Sequence, residues 1–491
     1  MSDDFNLVSD KWIKLVPNEE VSLLEFFDRE EAPQLGGTPI QKLVVFRLLL
    51  AILQRACFSE DEDDEELSIQ QMKQAAIKYL TEKRGCFGLR DPERPFLQHP
   101  GITKANDDKS MPIAALLPGV CTGNATVLFD SNLISEKISD ADMVYVLLQT
   151  VTFGMGGKKP DKSLVFSSGY TKKSAPPSPS LGRGWLHSFA VGADLYQTLR
   201  LNLVTPEMVE ERSLQFLKKG IGVPPWEKMP ETEIGPDAQT YASTVIGWLV
   251  PISRFCRIFG TALYMTSGVE YPKIDTGICD LSVATKDVGS GTKQTITAVR
   301  AQKTVAPWRQ LDAVLAFFKG GTRGCRALNL AFHHQRKNVR GIWCVGMQVS
   351  EQSGEQYMSG TDDFVESLFV ISPDWLGQTF LDTYEKEMLK VDQIRKALYV
   401  CVCNYYKDMG SKELGAGFAA RAQAEFWTLC ADAGEKMIGI CGTPQAFDYS
   451  RQFHAAARAA YDRVCPKTGT RQLVVYEKNR PIFLTKKEGN K

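Results

Sequence analysis

Apolar residues recur every three or four positions in the C-terminal part of the sequence, from about residue 362 onward. This spacing places side chains on one face of an α-helix, and it occurs in three successive sets. The sets are Leu376, Phe380, Tyr384, Met388, Val391, Ile394 and Leu398; Leu414, Phe418, Ala422, Phe426 and Leu429; and Ser450, Phe453, Ala457, Ala460 and Val464. Such helices, joined by short turns, predict an antiparallel four-helix bundle over residues 362–491. Leu473–Tyr476 is predicted as an added strand, and the tail from Arg480 is basic.

Residues 1–361 show a different pattern, in which short apolar runs alternate with loops rich in proline and glycine. Phe5–Ile13 is predicted as an opening strand, and residues 40–57 and 67–82 as helices. The fold class is therefore predicted to be α+β: a mixed α/β N-terminal body, residues 1–361, followed by the C-terminal helical bundle. A length of 491 residues is enough for two domains.

The charge balance limits how such a chain can bind nucleic acid. Lys+Arg and Asp+Glu both total 58, so the formal net charge is zero. This balance argues against a stand-alone protein that wraps nucleic acid through bulk positive charge. Any contact with nucleic acid is expected to be local, or shared with a more basic partner.

The cysteines and the apolar runs indicate a cytoplasmic protein. The twelve cysteines include no Cys-x-x-Cys pair, which argues against a zinc site and favours reduced thiols. The start of the sequence lacks the basic region of a signal peptide. The longest apolar run, Leu43–Leu53, contains Arg47 and is too short to span a bilayer, so no membrane association is expected.

A glycine-rich turn, Phe153–Lys159, follows an apolar run that is predicted to be a strand. Its glycines lack a Cβ and permit positive φ, so bare backbone can approach an anionic partner beside two lysines. An ordinary surface turn has the same composition, and the pattern alone leaves both interpretations open. A P-loop is excluded because Lys158 is not followed by Ser or Thr, and a dinucleotide fold because loop composition follows. A polymer backbone is the partner that fits best.

A second segment suggests contact with nucleic acid. Gly341–Val349 is predicted as a strand and Ser350–Tyr357 as a polar turn or hairpin tip. A glutamine at a projecting tip can enter a groove and contact base edges, and in the minor groove such readout depends strongly on shape. A solvent-exposed loop is the alternative that spacing alone leaves open.

Few residues offer catalytic chemistry. None of the five histidines has the spacing of a metal site or a catalytic triad, and no Gly-x-Ser-x-Gly motif or nuclease-like carboxylate pattern occurs. A non-catalytic protein without cofactor or metal is therefore predicted. A nuclease that uses dispersed carboxylates, and a structural scaffold of a ribonucleoprotein, are the alternatives.

Five short motifs follow one another along the chain. They are Phe5-Asn-Leu-Val-x-x-Lys-Trp-Ile, Arg94–Gln98, Leu116–Val120 followed by Thr122–Ala125, Ala306–Trp308 and Arg395–Tyr399. In this order, and with a body and a terminal bundle, they resemble the large subunit of the type I-E CRISPR surveillance complex Cascade. The resemblance covers nearly the whole chain.

The resemblance implies a function without bond cleavage. It implies recognition of the protospacer-adjacent motif in double-stranded target DNA, and help in starting the strand separation that lets guide RNA pair. The implied partners are the guide RNA, other Cascade subunits and a separate helicase-nuclease that the bundle helps to recruit.

The resemblance also assigns roles to residues. The glycine loop that lies against the motif in the minor groove corresponds to Gly154, Met155, Gly156 and Gly157, with Lys158 beside it. The glutamine wedge corresponds to Gly354, Glu355 and Gln356, where Glu355 replaces a common Asn. The lid loop that meets the guide RNA corresponds to residues 124–132, including Asn124 and Phe129. Lys273 is the nearest match to the lysine finger, and no metal is implied.

Overall fold

The structure of the chain is a computed structural model. The described residues are 4–58, 67–103, 109–113, 138–158, 164–170, 174–274, 277–289, 294–352, 355–357, 364–371, 373–444 and 449–482.

The N-terminal part of the described chain mixes short helices with short strands. The helices are α1 (Leu23–Asp28), α2 (Pro39–Cys57), α3 (Ile69–Glu82), α4 (Asp140–Phe153), α5 (Leu195–Leu201), α6 (Pro206–Glu210), α7 (Pro236–Tyr241), α8 (Val245–Leu249), α9 (Leu311–Val314) and α10 (Arg326–Gln335). The strands are β1 (Ile13–Leu15), β2 (Glu19–Val21), β3 (Met111–Pro112), β4 (Gly157–Lys158), β5 (Ser174–Ala175), β6 (Leu186–Val191), β7 (Arg254–Phe259), β8 (Ala262–Ser267), β9 (Thr285–Val288), β10 (Thr295–Ala298), β11 (Gly341–Met347), β12 (Ser350–Gln352), β13 (Glu355–Tyr357) and β14 (Phe364–Val370).

The strands form small sheets rather than one large one. Two sheets have three strands, in the orders β14-β11-β6 and β3-β8-β7. Four antiparallel pairs, β1–β2, β4–β5, β9–β10 and β12–β13, stand apart from them among the described residues. This mixture of helices and sheets confirms the predicted fold class.

Helix α2 lies at the centre of the body. Pro39 sits in its first turn, and the Thr38 side chain and Gln41 form a capping box that satisfies the first backbone N–H groups. Residues on every face of α2 are buried, and it contacts α3, α4, α8 and β11. The helix predicted over residues 40–57 is confirmed, and its all-round apolar character reflects this central position.

Two predicted strands are wrong. Most of Phe5–Ile13 forms a turn, and only Ile13 belongs to a strand, as the first residue of β1. The turn forms because the Asn6 and Asp10 side chains accept the backbone N–H groups of Val8 (3.1 Å) and Asn6 (2.6 Å). The apolar run before the glycine turn is the helix α4. Ser139 caps its first turn, and burial on nearly every face removes the alternation that would identify an amphipathic helix.

The C-terminal part is helical, as predicted. Five helices lie within its described residues: α11 (Gln378–Asp408), α12 (Gly415–Leu429), α13 (Ala431–Ile440), α14 (Ser450–Val464) and α15 (Thr470–Asn479). α11 contacts α12, α14 and α15. Leu473–Tyr476 is not a strand but part of α15, because the Gln472 side chain accepts from the Gly469 N–H (3.0 Å) and starts a helix there.

The chain divides into two compact units. One comprises residues 1–303 and 313–368, and the other comprises residues 304–312 and 369–491. Compactness differs from independent folding, so the domain boundary after residue 361 stays a prediction. Of the helices described, none has both the length and the apolar character needed to cross a bilayer.

Candidate nucleic-acid interface

The glycine turn begins where α4 ends. Gly154 follows the helix with φ −50° and ψ 126°. Its N–H donates to Ser253 Oγ (3.3 Å), and its carbonyl accepts from the Ser178 N–H (2.8 Å). The positive φ that glycine permits is therefore not used at Gly154, because two neighbouring segments hold its backbone in place.

Arg254 supports the turn from the interior. Its buried guanidinium donates to the carbonyls of Met155, Pro176 (2.9 Å) and Ser253 (2.6 Å). Burial lowers the pKa of Arg254 to about 10, which still leaves the group charged at pH 7. Hydrogen bonds from a charged donor are stronger than neutral ones, so Arg254 fixes the turn against the start of β7.

The glycines at and near the turn differ in how closely other atoms pack against them. A Cβ on Gly154 would lie 3.0 Å from Arg254 Cγ, and a Cβ on Gly182 would collide with the Gly154 carbonyl. A Cβ on Gly157 would meet no atom of the described residues within 4 Å. Packing therefore explains Gly154 and Gly182, whereas the open face of Gly157 can accept a ligand.

The structure brings the glycine turn close to the hairpin. Gly157 and Lys158 form β4, and Glu355 and Gln356 belong to β13. Cα–Cα distances of 8 Å or less connect β4 with β13. About 200 residues separate these segments in the sequence, so only the tertiary fold places them together.

The hairpin itself differs from the sequence expectation. Ser350–Tyr357 forms two three-residue strands, with Glu351 paired to Gln356 and Gln352 paired to Glu355. Gln356 thus lies on the returning strand and not at the projecting tip that the sequence predicts.

The remaining residues that the sequence assigned to the site are Lys273, Gly354, Asn124 and Phe129. Lys273 is exposed, and the next residue, Ile274, lines the same cavity as Gly156 and Gly157. Gly354, Asn124 and Phe129 lie outside the described residues.

Sequence reasoning missed two arginines beside the turn. Arg183 and Arg300 line the cavity of about 400 Å³ that Gly156 and Gly157 also line. The Arg183 guanidinium lies 5.6 Å from the centre of the Trp185 ring. An arginine between two glycines, as in Gly182-Arg183-Gly184, was the signal that could have indicated it.

A buried polar network superficially resembles a hydrolase triad. Ser180 Oγ lies 3.0 Å from His187 Nε2, and Ser282 Oγ lies 2.8 Å from His187 Nδ1. Asp280 pairs with Arg47 at 2.7 Å. All five side chains are buried, so this network is placed to act on stability. Among the described residues, no group of three His, Cys, Asp or Glu side chains could hold a metal ion.

Solved structures with the same fold come from several bacteria. CasA (Cse1) of Thermus thermophilus is 20% identical, with a TM-score of 0.71 and coverage of 97% of both chains. Cse1 of Acidimicrobium ferrooxidans is 18% identical, with a TM-score of 0.72 and coverage of 98% of this chain and 96% of that one. A chain of a CRISPR RNA-guided surveillance complex is 17% identical, with a TM-score of 0.68 and coverage of 97% and 99%.

A comparison of the sequence with curated proteins gives no match. The family model for CRISPR-associated protein Cse1 matches residues 6–461, which is most of the chain. The match confirms the resemblance found in the motifs, and the chain belongs to the Cse1 family of CRISPR-associated proteins.

Proposed function

We propose that this chain is the large subunit of a type I-E Cascade complex and recognises the protospacer-adjacent motif in double-stranded DNA. The observation that carries the proposal is the proximity of β4 to β13, with an open face at Gly157. Family membership and the likeness to a chain of a CRISPR RNA-guided surveillance complex support the assembly with guide RNA and other subunits.

The proposed mechanism is physical and involves no bond cleavage by this chain. The glycine turn lies against the minor groove at Gly157, where a missing side chain permits close approach, while Lys158 and Lys273 add positive charge. Gln356 and its hairpin separate the base pairs beside the motif. Unstacking one base step costs about a few kcal/mol, which the contacts with the motif must offset. Guide RNA then pairs with the released strand.

The remaining partners follow from the same function. The lid residues Asn124 and Phe129 contact the guide RNA, and the C-terminal helices help to recruit a separate helicase-nuclease. Because the complex must meet its guide RNA and target DNA in the cytoplasm, we expect it to be located there.

The first test replaces Gly157 with alanine in the reconstituted complex. Because nothing described packs there, the fold is expected to tolerate Gly157→Ala, while binding to a motif-bearing duplex falls about ten-fold or more through loss of close approach. The matched control is Gly85→Ala, since a Cβ at Gly85 also meets no described atom within 4 Å. Unchanged binding by the Gly157 variant would refute the proposed role of the turn.

The second test separates recognition from melting. Gln356→Ala is expected to leave assembly intact and to reduce strand separation, measured by fluorescence of 2-aminopurine placed beside the motif. Equal fluorescence changes in the variant and the wild type would exclude a wedge at Gln356. Metal-dependent cleavage by the purified chain alone would favour the nuclease alternative instead.

A further inference from the structure

One short segment of the chain joins the two elements of the proposed interface. Residues 176–184, which we call the connector, lie between strands β5 and β6. β5 is the partner of β4 at the glycine turn, where Gly157 pairs with Ala175. β6 is the partner of β11, which leads through Val349 into the hairpin β12–β13. The connector therefore begins beside the glycine turn and ends at the root of the hairpin.

The middle of the connector is fixed to the glycine turn. The Ser178 N–H donates to the Gly154 carbonyl (2.8 Å), and the Ser178 hydroxyl donates to the Thr152 carbonyl at the end of α4. Gly182 packs so closely against the Gly154 carbonyl that a Cβ at Gly182 would overlap the oxygen. Ser178 and Gly182 are both buried. These contacts leave the connector little freedom to move relative to the turn.

The last residue of the connector is fixed to the root of the hairpin. Gly184 has a left-handed φ of 69°, and its carbonyl accepts from the Ala301 N–H (3.0 Å). A Cβ at Gly184 would lie 3.3 Å from the Val349 Cβ and 3.5 Å from the Met347 carbonyl oxygen. The root of the hairpin therefore packs against a position where the fold uses both the positive φ and the missing side chain of glycine.

The connector itself is stiff. Its residues include three prolines, Pro176, Pro177 and Pro179. Because a proline ring fixes the backbone φ, this part of the segment has few alternative conformations. The Gly184 N–H donates to the Leu181 carbonyl (2.8 Å), which closes a tight helical turn at the other end. Leu181 is completely buried in the hydrophobic core and holds that turn in place.

We propose that the connector positions the hairpin relative to the glycine turn, so that bases are separated at one fixed step beside the recognised motif. The inference rests on the proposed function, in which the turn contacts the motif and the hairpin acts as the wedge. Successive nucleotides of a strand are about 3.4 Å apart along the duplex, so the wedge must be held well within this distance. A rigid support can hold functional groups to within about 0.5 Å. Ser178, Gly182 and Gly184 act through the two elements and are positioning residues.

The test replaces Gly184 with alanine in the full complex. The added methyl group must displace Val349, whereas the contacts of Gly154 with Ser178 and Ser253 still hold the turn. The rate of strand separation is measured by 2-aminopurine beside the motif, in a saturating duplex that is complementary to the guide RNA. This rate is expected to fall about ten-fold or more, because the wedge no longer meets its base step.

The preference for the motif is measured separately. It is the ratio of the affinities for motif-bearing and scrambled duplexes, neither of which is complementary to the guide RNA. In Gly184→Ala this ratio is expected to stay within about two-fold of the wild-type value, because the glycine turn is unchanged. An unchanged rate of strand separation overturns the proposal. A loss of motif preference in proportion to the loss of rate overturns it as well.

The matched control is Gly220→Ala. Gly220 has a φ of 70°, and a Cβ there meets no described atom within 4 Å. Alanine is therefore under similar backbone strain at both positions, and only Gly184→Ala adds a contact with Val349. The control is expected to equal the wild type in both measurements. Equal losses of rate in the two variants overturn the proposal.

Truncation of the neighbouring side chain gives a test by rescue. Val349→Ala makes room for the methyl group of Gly184→Ala. The double variant is expected to separate strands at a rate within about two-fold of that of Val349→Ala alone. General destabilisation would not be relieved in this way, because Val349→Ala removes further packing. Absence of rescue overturns the proposal.

A change without an added atom serves if Gly184→Ala does not assemble. The double variant Pro177→Gly/Pro179→Gly frees φ at two positions of the connector. The rate of strand separation is expected to fall while the motif preference is retained, because the hairpin is then held less precisely. In that case, an unchanged rate in the assembled complex overturns the proposal.

Failure of the proposed function has a different signature. If the wild type binds motif-bearing and scrambled duplexes equally, this chain does not recognise the motif. If the wild type prefers the motif but Gln356→Ala separates strands at the wild-type rate, the wedge is wrong. If the wild type passes both tests and Gly184→Ala retains the wild-type rate, only the role of the connector is wrong.

Discussion

At the scale of single residues, burial decides what the titratable groups of this protein can do. His187, which lies at the centre of the buried polar network, is the clearest case. Its ring is fully buried, and burial lowers its pKa to about 3, so the ring is neutral at pH 7. Asp280 acts in the opposite direction, whereas the charge of Arg47 lowers the pKa further.

This pKa predicts how stability depends on pH. In the unfolded chain a histidine titrates near 6.5, so between that pH and about 3 the unfolded state binds one more proton at this residue. The contribution of His187 to the free energy of unfolding is complete above pH 6.5. It is lost as the pH falls, at about 1.4 kcal/mol per pH unit. Urea unfolding between pH 4.5 and 6 is expected to show this slope.

His187→Gln is the comparison for that slope, because glutamine does not titrate. The pKa of His99 is also lowered by burial, but His99 remains in the variant, so the difference between the two proteins isolates His187. An identical pH slope in wild type and variant would contradict the prediction.

Arg254 provides a second prediction at this scale. Arg254→Met removes the donors to three carbonyl groups at the glycine turn, and the free energy of unfolding is expected to fall by at least about 3 kcal/mol. Arg257→Met, on the same strand, loses one hydrogen bond to the Pro92 carbonyl (3.1 Å) and is expected to cost less than about 1.5 kcal/mol. Urea unfolding of both variants measures the difference, and equal losses would argue against a special role for Arg254.

At the scale of elements, helix α13 packs against Trp308, a residue of the 304–312 segment that belongs to the C-terminal unit. A Cβ on Gly434 would lie 2.8 Å from the Trp308 ring, and the Trp308 carbonyl accepts from the Tyr384 hydroxyl (2.6 Å). The bare surface of α13 at Gly434 is therefore the place where the indole packs.

The two glycines of α13 give opposite predictions. Gly434→Ala is expected to destabilise the chain by about 1–3 kcal/mol, because the rigid indole must shift. Gly439→Ala, where a Cβ meets no described atom within 4 Å, is expected to stabilise the helix by up to about 1 kcal/mol. Thermal unfolding distinguishes the two, and a stabilising effect of alanine at both positions would contradict the packing.

Some helices could be predicted from the sequence more accurately than others. Phe380, Tyr384, Val391 and Ile394 of α11 are buried as predicted, because a helix with one buried face keeps its period in the sequence. Leu414, which directly precedes α12, is exposed, and Ala419 within α12 is buried, so the buried face of this helix is turned slightly from the predicted one. Helix α4 was mistaken for a strand because burial on nearly every face leaves no period to detect.

At the scale of the whole molecule, the zero net charge predicts that the proposed DNA binding is confined to local sites. The isolated full chain is expected to bind a duplex without the motif weakly, with a salt slope of magnitude no greater than about 3, equivalent to about three neutralised phosphates. Fluorescence anisotropy over a range of salt concentrations measures the slope. A much steeper value would show that an extended basic surface operates despite the balance of 58 against 58 charged residues.

The sequence by itself determined the features that depend on local pattern and on order along the chain. Helical spacing predicted the C-terminal helices, and the succession of motifs indicated the family that the match over residues 6–461 confirms. The tertiary structure alone decided which distant segments meet. It placed β4 near β13, put Arg183 and Arg300 on one cavity, and joined residues 304–312 to the C-terminal unit. The reason is physical: periodicity reports which face of one element is buried, whereas contacts between elements depend on packing across the whole chain.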